Sequence, residues 1–217
     1  MGTKEMKQRN RCFVLAAMPM SLKCRLIFQQ MYQPHDIIIC ADGGYQNAVL
    51  MKIAPTIVVG DMDSVGDFLP SAEIESMRYP SEKDFTDTQL AIDVGLDKEC
   101  REFFLFGMTG QRLDHTITNI YMLNFLHCNG AQGKIIDEYG ELFLKDSDFT
   151  IENKKGDTVS FMAFDGDVEN LTLLGMKYPL KQHCLKSSNP IAISNVVLQD
   201  KAQVSFSTGK LLVYFPY

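Results

Sequence analysis

The stretch Thr56-Ile57-Val58-Val59-Gly60-Asp61-Met62-Asp63-Ser64 places an apolar run of strand length directly before a glycine and two carboxylates. A short apolar run bounded in this way is typical of a buried strand, and in open α/β sheets ligands bind beyond the carboxyl ends of the strands. Two like charges there repel each other unless a cation lies between them, and Mg²⁺ takes one or two carboxylates together with phosphate oxygens and water. The stretch therefore predicts a metal-phosphate site, although a polar turn with capping aspartates explains the spacing alone equally well.

The same theme recurs along the first two thirds of the chain. Apolar, β-prone runs lie at residues 12–17, 37–40 and 103–106, and segments of helical period lie between them. This alternation predicts a mainly parallel sheet with flanking helices. From about residue 135 the pattern changes to short β-rich runs separated by Gly, Asp and Asn, which predicts an all-β unit. We therefore predict an α/β N-terminal domain over residues 1–138 and an all-β C-terminal domain over residues 139–217.

Composition narrows the classes of partner. The chain has 217 residues, is 46% hydrophobic and carries a formal charge of -6, so it has enough apolar residues for a core and no basic block that would follow a nucleic-acid backbone. No stretch approaches the ~20 apolar residues of a membrane span, and the polar residues 1–11 lack the apolar segment of a signal peptide. We predict a cytoplasmic protein that binds neither nucleic acid nor membranes.

Two further clusters follow predicted strands or precede predicted helices. Asp42-Gly43-Gly44 follows a strand, and its glycines would let the backbone approach a ligand, although a glycine turn explains them nearly as well. The second cluster precedes a helical run and contains Lys83, Asp84, Thr86 and Asp87. Thr86 or Asp87 is expected at the helix N-terminus, where exposed N–H groups suit phosphate; an ordinary helix cap is the alternative.

A last cluster, Thr109-Gly110-Gln111-Arg112-Leu113-Asp114-His115, lies between a predicted strand and a predicted helix. Arg112 has the planar donors that bind phosphate bidentately, and His115 is suited to meet developing negative charge or to carry a proton. No Gly-Xaa₄-Gly-Lys-Ser/Thr motif is present, so a P-loop is excluded.

The ordered set Asp42-Gly43-Gly44, Gly60-Asp61-Met62-Asp63-Ser64, Lys83-Asp84-Phe85-Thr86-Asp87 and Thr109–His115 resembles thiamine pyrophosphokinase, as do Gly175-Met176-Lys177-Tyr178-Pro179-Leu180 and Ser194-Asn195 near the C-terminus. The resemblance implies a catalytic α/β domain, a β-sandwich domain and a homodimer with the thiamine site at the subunit interface. The implied reaction moves the pyrophosphoryl group of ATP onto the thiamine hydroxyl and releases AMP, with Mg²⁺ as cofactor.

The resemblance also implies site residues by position. The acidic group around Mg²⁺ and the reacting hydroxyl would be Asp42, Asp61, Asp63 and Asp87, of which Asp61, Asp63 and Asp87 would bind the metal. The expected ATP-binding residues are Gly43, Gly44, Lys83, Asp84, Thr86, Arg112 and His115. The expected thiamine-binding residues are Tyr178, as a stacking ring for the thiazolium or pyrimidine, together with Ser194 and Asn195.

Two other functions fit part of the sequence. Asp61 and Asp63 after a strand also suit a haloacid-dehalogenase-type phosphatase with Asp61 as covalent nucleophile, but that hypothesis leaves Arg112, His115 and the β domain unexplained. The residues would also suit a Mg-nucleotide binding module without turnover. The number of carboxylates argues against it, because acidic groups around an anionic ligand weaken simple binding.

Overall fold

The structure is a computed structural model, and it describes residues 11–61, 74–80, 82 and 84–217. The chain divides into two compact units, residues 1–138 and 139–217. Among the helices of the described residues, none combines the length and the apolar composition that crossing a bilayer requires.

The described residues of the first unit form six parallel strands and four helices. The strands are β1 (Arg11–Leu15), β2 (Ile37–Ala41), β3 (Ile57–Gly60), β4 (Glu75–Arg78), β5 (Glu102–Phe106) and β6 (Gln132–Ile136). The helices are α1 (Leu22–Met31), α2 (Gly44–Met51), α3 (Asp87–Asp97) and α4 (Leu113–Cys128). The strand order is β4-β3-β2-β1-β5-β6, and every pairing in it is parallel. The predicted parallel sheet with flanking helices is confirmed.

Burial explains why the strand sequences are apolar throughout rather than alternating. β3 is buried at all four positions, and β1, β2 and β5 are buried at all but the first, as expected where helices cover both faces of a parallel sheet. The core is rich in aromatic rings: Phe13 stacks on Phe104 at 4.8 Å between centroids and meets Phe28 edge-on at 5.2 Å. This core supports the strand ends on which the candidate site lies.

The second unit is all-β, as predicted, and its strands pair antiparallel. Its strands are β7 (Gly140–Lys145), β8 (Phe149–Glu152), β9 (Thr158–Leu174), β10 (Leu180–Leu185), β11 (Asn195–Val196), β12 (Lys201–Ser205) and β13 (Thr208–Pro216). The first half of β9 pairs with β13 and β11, and its second half pairs with β10 and β12. Between the halves, Asp165 and Gly166 both have positive φ. The strands enclose a separate apolar core that includes Phe161, Leu173 and Val213.

Candidate functional site

Asp42 and Asp61 follow neighbouring parallel strands. β2 and β3 pair in the register Ala41↔Val59, and the Asp42 N–H donates to the Val59 carbonyl at 2.7 Å. The carboxyl ends of neighbouring parallel strands lie at the same edge of the sheet. Asp42 and Asp61, two of the predicted site residues, therefore follow adjacent strand ends at this edge. Asp61 is half-buried.

Asp42 occupies an unusual position. Its φ is 41°, a left-handed conformation that is uncommon outside glycine. Its Oδ1 is buried and has no hydrogen-bond partner among the described residues. Gly60 lies against it: a Cβ built on Gly60 would be 2.8 Å from the Asp42 Cβ. A buried carboxylate oxygen without a donor is costly, so the arrangement fits a group whose partner is a bound cation or substrate.

Gly43 and Gly44 begin α2 rather than forming an open turn. Gly43 is the N-cap and Gly44 the first helical residue. A Cβ on Gly44 would lie 1.9 Å from the Leu15 carbonyl oxygen. In this structure, therefore, Gly44 allows close approach of α2 to the end of β1.

Thr86 and Asp87 lie at the start of α3, as predicted. Thr86 is the N-cap, and its Oγ1 accepts a hydrogen bond from the Gln89 N–H at 3.2 Å. Asp87 is half-buried and Asp84 is exposed. Since β4 ends at Arg78 and α3 is the next element, the helix begins at the edge of the sheet where the carboxyl ends of the strands lie.

Two of the predicted residues, Asp63 and Lys83, lie outside the described residues. Within the part of the chain that the structure describes, no group of three acidic, histidine or cysteine side chains lies close enough together to hold a metal ion.

The cluster after β5 contains a well-formed ion pair. Arg112 donates from Nε to Asp114 Oδ1 at 2.9 Å and from Nη2 to Oδ2 at 2.6 Å. Arg112 holds the pKa of Asp114 well below its usual range, mainly through the side-chain hydrogen bond. α4 begins at Leu113, so Arg112 is its N-cap and both Asp114 and the exposed His115 lie in its first turn. An incoming phosphate would compete with Asp114 for the guanidinium group.

Sequence reasoning missed the loop after β1, residues 16–20, and the side chain that holds it. Asn47 of α2 is buried. Its Nδ2 donates to the carbonyls of Ala16 and Met18, both at 3.0 Å, and its Oδ1 accepts from the Met20 N–H at 3.1 Å. The sequence shows only an asparagine a few residues after Asp42-Gly43-Gly44. This spacing does not indicate that its side chain bonds to the loop after another strand.

The loop after β5 is held in a similar way. The buried Asn119 of α4 donates to the Met108 carbonyl at 2.8 Å. Thr109 Oγ1 donates to Asp137 Oδ2 at 3.0 Å, and the Gly110 N–H donates to Thr116 Oγ1 at 3.2 Å. The loop that leads to Arg112 is therefore anchored before the helix begins.

The predicted thiamine residues lie together in the second unit. Tyr178 is 57% exposed, whereas Asn195 is buried. Asn195 Oδ1 accepts from the Tyr178 and Val196 N–H groups at 2.9 Å, and its Nδ2 donates to the Tyr178 carbonyl at 2.8 Å. The Asn195 amide therefore bonds to protein backbone. Ser194 is exposed, has φ of 56° and donates its N–H to Ser160 Oγ at 3.0 Å.

Tyr178 and Asn195 line one small open pocket of about 40 Å³. Its apolar wall includes Leu180, Ile191 and Ile193, none of which was predicted as a thiamine-binding residue. Ile191 and Ile193 are 50% and 44% exposed. A flat ring with an apolar face can pack on these side chains, and the Tyr178 ring adds an aromatic surface for stacking. The Lys177 ammonium lies 5.5 Å from the Tyr178 ring centroid.

Two protein-family models match the chain. One is described as thiamin pyrophosphokinase, catalytic domain, and matches residues 28–133. The other is described as thiamin pyrophosphokinase, vitamin B1 binding domain, and matches residues 148–213.

Individual proteins give the same result. The thiamine pyrophosphokinase of Bacillus subtilis is 30% identical over 185 residues, which cover 82% of this chain and 86% of that protein. A crystal structure of the Bacillus subtilis enzyme superposes with a TM-score of 0.84 at 25% identity, covering 95% of this chain and 99% of the other. The fold is also shared with thiamin pyrophosphokinase from Candida albicans, with a TM-score of 0.82, 15% identity, and 96% and 89% of the two chains covered.

Proposed function

The chain belongs to the thiamine pyrophosphokinase family of enzymes, and we propose that it transfers the pyrophosphoryl group of ATP to the hydroxyl of thiamine, giving thiamine diphosphate and AMP. The match to both the catalytic and the vitamin-binding family models supports this reaction. The phosphatase and the non-catalytic binding module are not favoured, because each would leave one matched part without a role.

The observation that carries the proposal is the environment of Asp42. One carboxylate oxygen of Asp42 is buried without a hydrogen-bond donor among the described residues, and Asp42 directly follows β2, the neighbour of the strand that Asp61 follows. A structural aspartate would be expected to have its buried oxygen satisfied. The buried oxygen of a catalytic aspartate is instead expected to pair with a substrate hydroxyl or a cation when these bind.

The donor set fits Mg²⁺, since this ion prefers carboxylate and phosphate oxygens. Asp61, Asp63 and Asp87 would hold it. When bound, the ion supplies positive charge to the phosphate oxygens. Asp42 or Asp87 would accept the proton of the attacking thiamine hydroxyl.

The remaining predicted residues would bind the phosphates. Thr86 and Asp87 begin a helix whose first N–H groups and dipole favour an anion. Arg112 would exchange Asp114 for a phosphate oxygen, and His115 on the same helix turn would donate to it. Backbone at Gly43 and Gly44, with Lys83 and Asp84, which precede α3 in the sequence, would complete the ATP site. Phosphoryl-type transfer asks mainly for such positioning and charge neutralisation.

One ring of thiamine would lie against the pocket of the second unit, whose volume of about 40 Å³ is too small to enclose the whole molecule. The cationic thiazolium and the flat pyrimidine of thiamine suit the exposed Tyr178 ring and the apolar wall, and the exposed Ser194 lies in the chain between Ile193 and Asn195, which both line the pocket. Because the Asn195 amide already bonds to backbone, we assign most of the direct polar contact to Ser194.

One assay tests the reaction. Purified protein is incubated with ATP, Mg²⁺ and thiamine, and the nucleotide products are separated. We expect AMP only when thiamine is present. ADP would indicate transfer of a single phosphoryl group, a phosphoaspartate at Asp61 would indicate a phosphatase, and nucleotide binding without product would indicate a binding module.

We also propose a homodimer in the cytoplasm, with the thiamine site at the subunit interface. Sedimentation should give the mass of two chains. If each site combines Asp42 of one subunit with Tyr178 of the other, an equimolar mixture of Asp42→Asn and Tyr178→Ala proteins should regain more activity than the mean of the two variants. A monomer, or a dimer without complementation, would contradict the shared site.

A further inference from the structure

The described residues bury three asparagines, and each one holds backbone beside the candidate site. They are Asn47, Asn119 and Asn195. A buried amide needs hydrogen-bond partners, and in all three residues Nδ2 donates to a main-chain carbonyl of a segment at least eleven positions away in sequence. The three side chains therefore set the position of loops, rather than that of the helix or strand to which they belong.

Asn47 organises the loop after β1 most completely. Its side chain donates to the carbonyls of residues 16 and 18 and accepts from the N–H of residue 20, so one amide group bonds along the whole loop. The loop is otherwise composed of Ala, Met and Pro, which have no side-chain donor that could hold it. Without Asn47 the two carbonyls would lose their donor.

The loops after β1 and β5 pack against each other. The Met18 N–H donates to the Gly107 carbonyl at 3.2 Å. A Cβ on Gly107 would lie 2.5 Å from the Ala16 carbonyl oxygen, and a Cβ on Gly110 would lie 2.6 Å from Met18 Sδ. A shift of the loop held by Asn47 is therefore passed on to the loop held by Asn119.

The two loops lie at the topological switch point of the sheet, where the strands that follow in sequence are added on opposite sides. β1 and β5 are neighbours, but β1 is followed by β2 on one side and β5 by β6 on the other. Open α/β sheets bind ligands in the crevice at this switch point. The β5 loop continues directly into Arg112 and His115, the proposed phosphate ligands.

We propose that Asn47 and Asn119 are positioning residues for the nucleotide. They hold residues 16–20 and 107–110 as the wall of the nucleotide crevice, act through backbone, and do not themselves touch substrate. The proposal rests on the proposed function, because it takes ATP as the donor and Arg112 as a phosphate ligand.

Asn195 supplies a matched comparison in the other unit. It is buried like Asn47, and it combines an acceptor for main-chain N–H groups with a donor to a main-chain carbonyl. The segment that it holds carries Tyr178 and not a nucleotide loop. Damage to the same chemical group should therefore affect thiamine instead of ATP.

The test uses the isosteric series Asn47→Asp, Asn119→Asp and Asn195→Asp. Each change keeps the acceptor oxygen and replaces the amide donor by an oxygen that faces a carbonyl, so each should cost stability by a comparable mechanism. For the wild type and each variant, KM for ATP and for thiamine are measured from AMP release. Binding of AMP and of thiamine is measured separately by calorimetry, and folding is checked by circular dichroism.

We expect Asn47→Asp and Asn119→Asp to weaken AMP binding and raise KM for ATP about tenfold, with the thiamine constants within about twofold, and Asn195→Asp to show the reverse pattern. A tenfold change corresponds to about 1.4 kcal/mol. Equal changes for both ligands, or a lower melting temperature with unchanged constants, would overturn the proposal. So would failure of both Asn47→Asp and Asn119→Asp to fold while Asn195→Asp folds, since their role would then be stability alone.

The wild type separates this proposal from the reaction itself. Wild-type protein that binds AMP and thiamine but releases no AMP from ATP would overturn the reaction, and the binding constants would still test the positioning residues. Wild-type protein that binds neither ligand would overturn both.

Discussion

Asp42 combines a left-handed backbone with a carboxylate oxygen that is buried and lacks a hydrogen-bond donor among the described residues. We predict that Asp42→Asn lowers kcat by about 10²–10³, the range found when one electrostatic catalytic group is removed. Stability should stay equal or rise, because asparagine tolerates this backbone conformation and removes a buried negative charge. AMP release and thermal melting measure the two effects.

Asp165 is the matched control for that change. It also has positive φ, at 57°, but it lies in the second unit, where Lys210 Nζ approaches its Oδ2 at 3.4 Å. Asp165→Asn should leave kcat unchanged. Equal losses in both variants, or near-normal turnover in Asp42→Asn, would show that Asp42 has no catalytic role.

Gly60 leaves room for the Asp42 side chain. Its φ of 152° is strained for other residues, and a Cβ would be 2.8 Å from the Asp42 Cβ. We predict that Gly60→Ala both destabilises the protein, by about 1–3 kcal/mol for the backbone strain, and lowers kcat by displacing Asp42.

Gly166→Ala separates strain from displacement, because Gly166 has φ of 126° with nothing within 4 Å of a Cβ. It should lower the free energy of unfolding by a similar amount and leave kcat intact. If Gly60→Ala retained full kcat per folded molecule, the contact with Asp42 would have no functional consequence.

At the scale of the element, the first turn of α4 carries the exposed pair of Arg112 and Asp114. The hydrogen bond from Arg112 lowers the pKa of Asp114, so the pair contributes stability that is fully present above the unfolded pKa of about 3.9. That contribution is lost as the pH falls through the lower, folded pKa. We predict that Asp114→Asn is less stable than the wild type at pH 6 and that the difference shrinks below about pH 4.

Chemical unfolding of both proteins between pH 6 and pH 2 measures this difference. A control is Asp157→Asn, which removes one exposed aspartate whose Oδ2 lies 3.3 Å from Lys154 Nζ, and we expect it to change stability little at any pH. A constant difference between Asp114→Asn and the wild type across the range would contradict the ion pair as the cause.

At the scale of the whole molecule, each unit has its own core, and the first unit also contains a buried ion pair. Asp36 Oδ1 lies 3.3 Å from Arg11 Nε, and the Asp36 side chain is fully buried. Its Oδ2 accepts from the Gln33 N–H at 2.7 Å, and the Arg11 guanidinium lies 4.9 Å from the Phe104 ring centroid. The pair thus joins β1 to the turn before β2.

We predict that Asp36→Ala lowers the free energy of unfolding by about 3–5 kcal/mol, because it leaves a partly buried guanidinium without its counter-ion. Denaturant unfolding measures the change. Lys201→Ala, which breaks an exposed pair with Glu152 at 3.0 Å, should cost less than about 1 kcal/mol. Similar costs for the two variants would show that burial adds nothing to the first pair.

Local pattern alone was sufficient for much of the architecture. Continuous apolar runs before glycine or aspartate predicted β2, β3 and β5, because strands covered on both faces have no polar positions. Thr86 was recognised as a helix start, since a cap bonds only within its own turn. The edge strand β4 and the helix α2 were missed. β4 is mostly exposed and lacks an apolar signal, and α2 begins with two glycines.

The sequence by itself determined the order of the two units, the alternating α/β pattern of the first, the all-β character of the second and the acidic residues after the strands, because these depend on residues a few positions apart. Only the tertiary structure decided that Asn47 holds residues 16–20, that Gly60 accommodates Asp42, and that Asn195 holds the Tyr178 backbone. These contacts join segments 17 to 31 positions apart, and they follow from strand register and helix packing, which no local pattern of residues specifies.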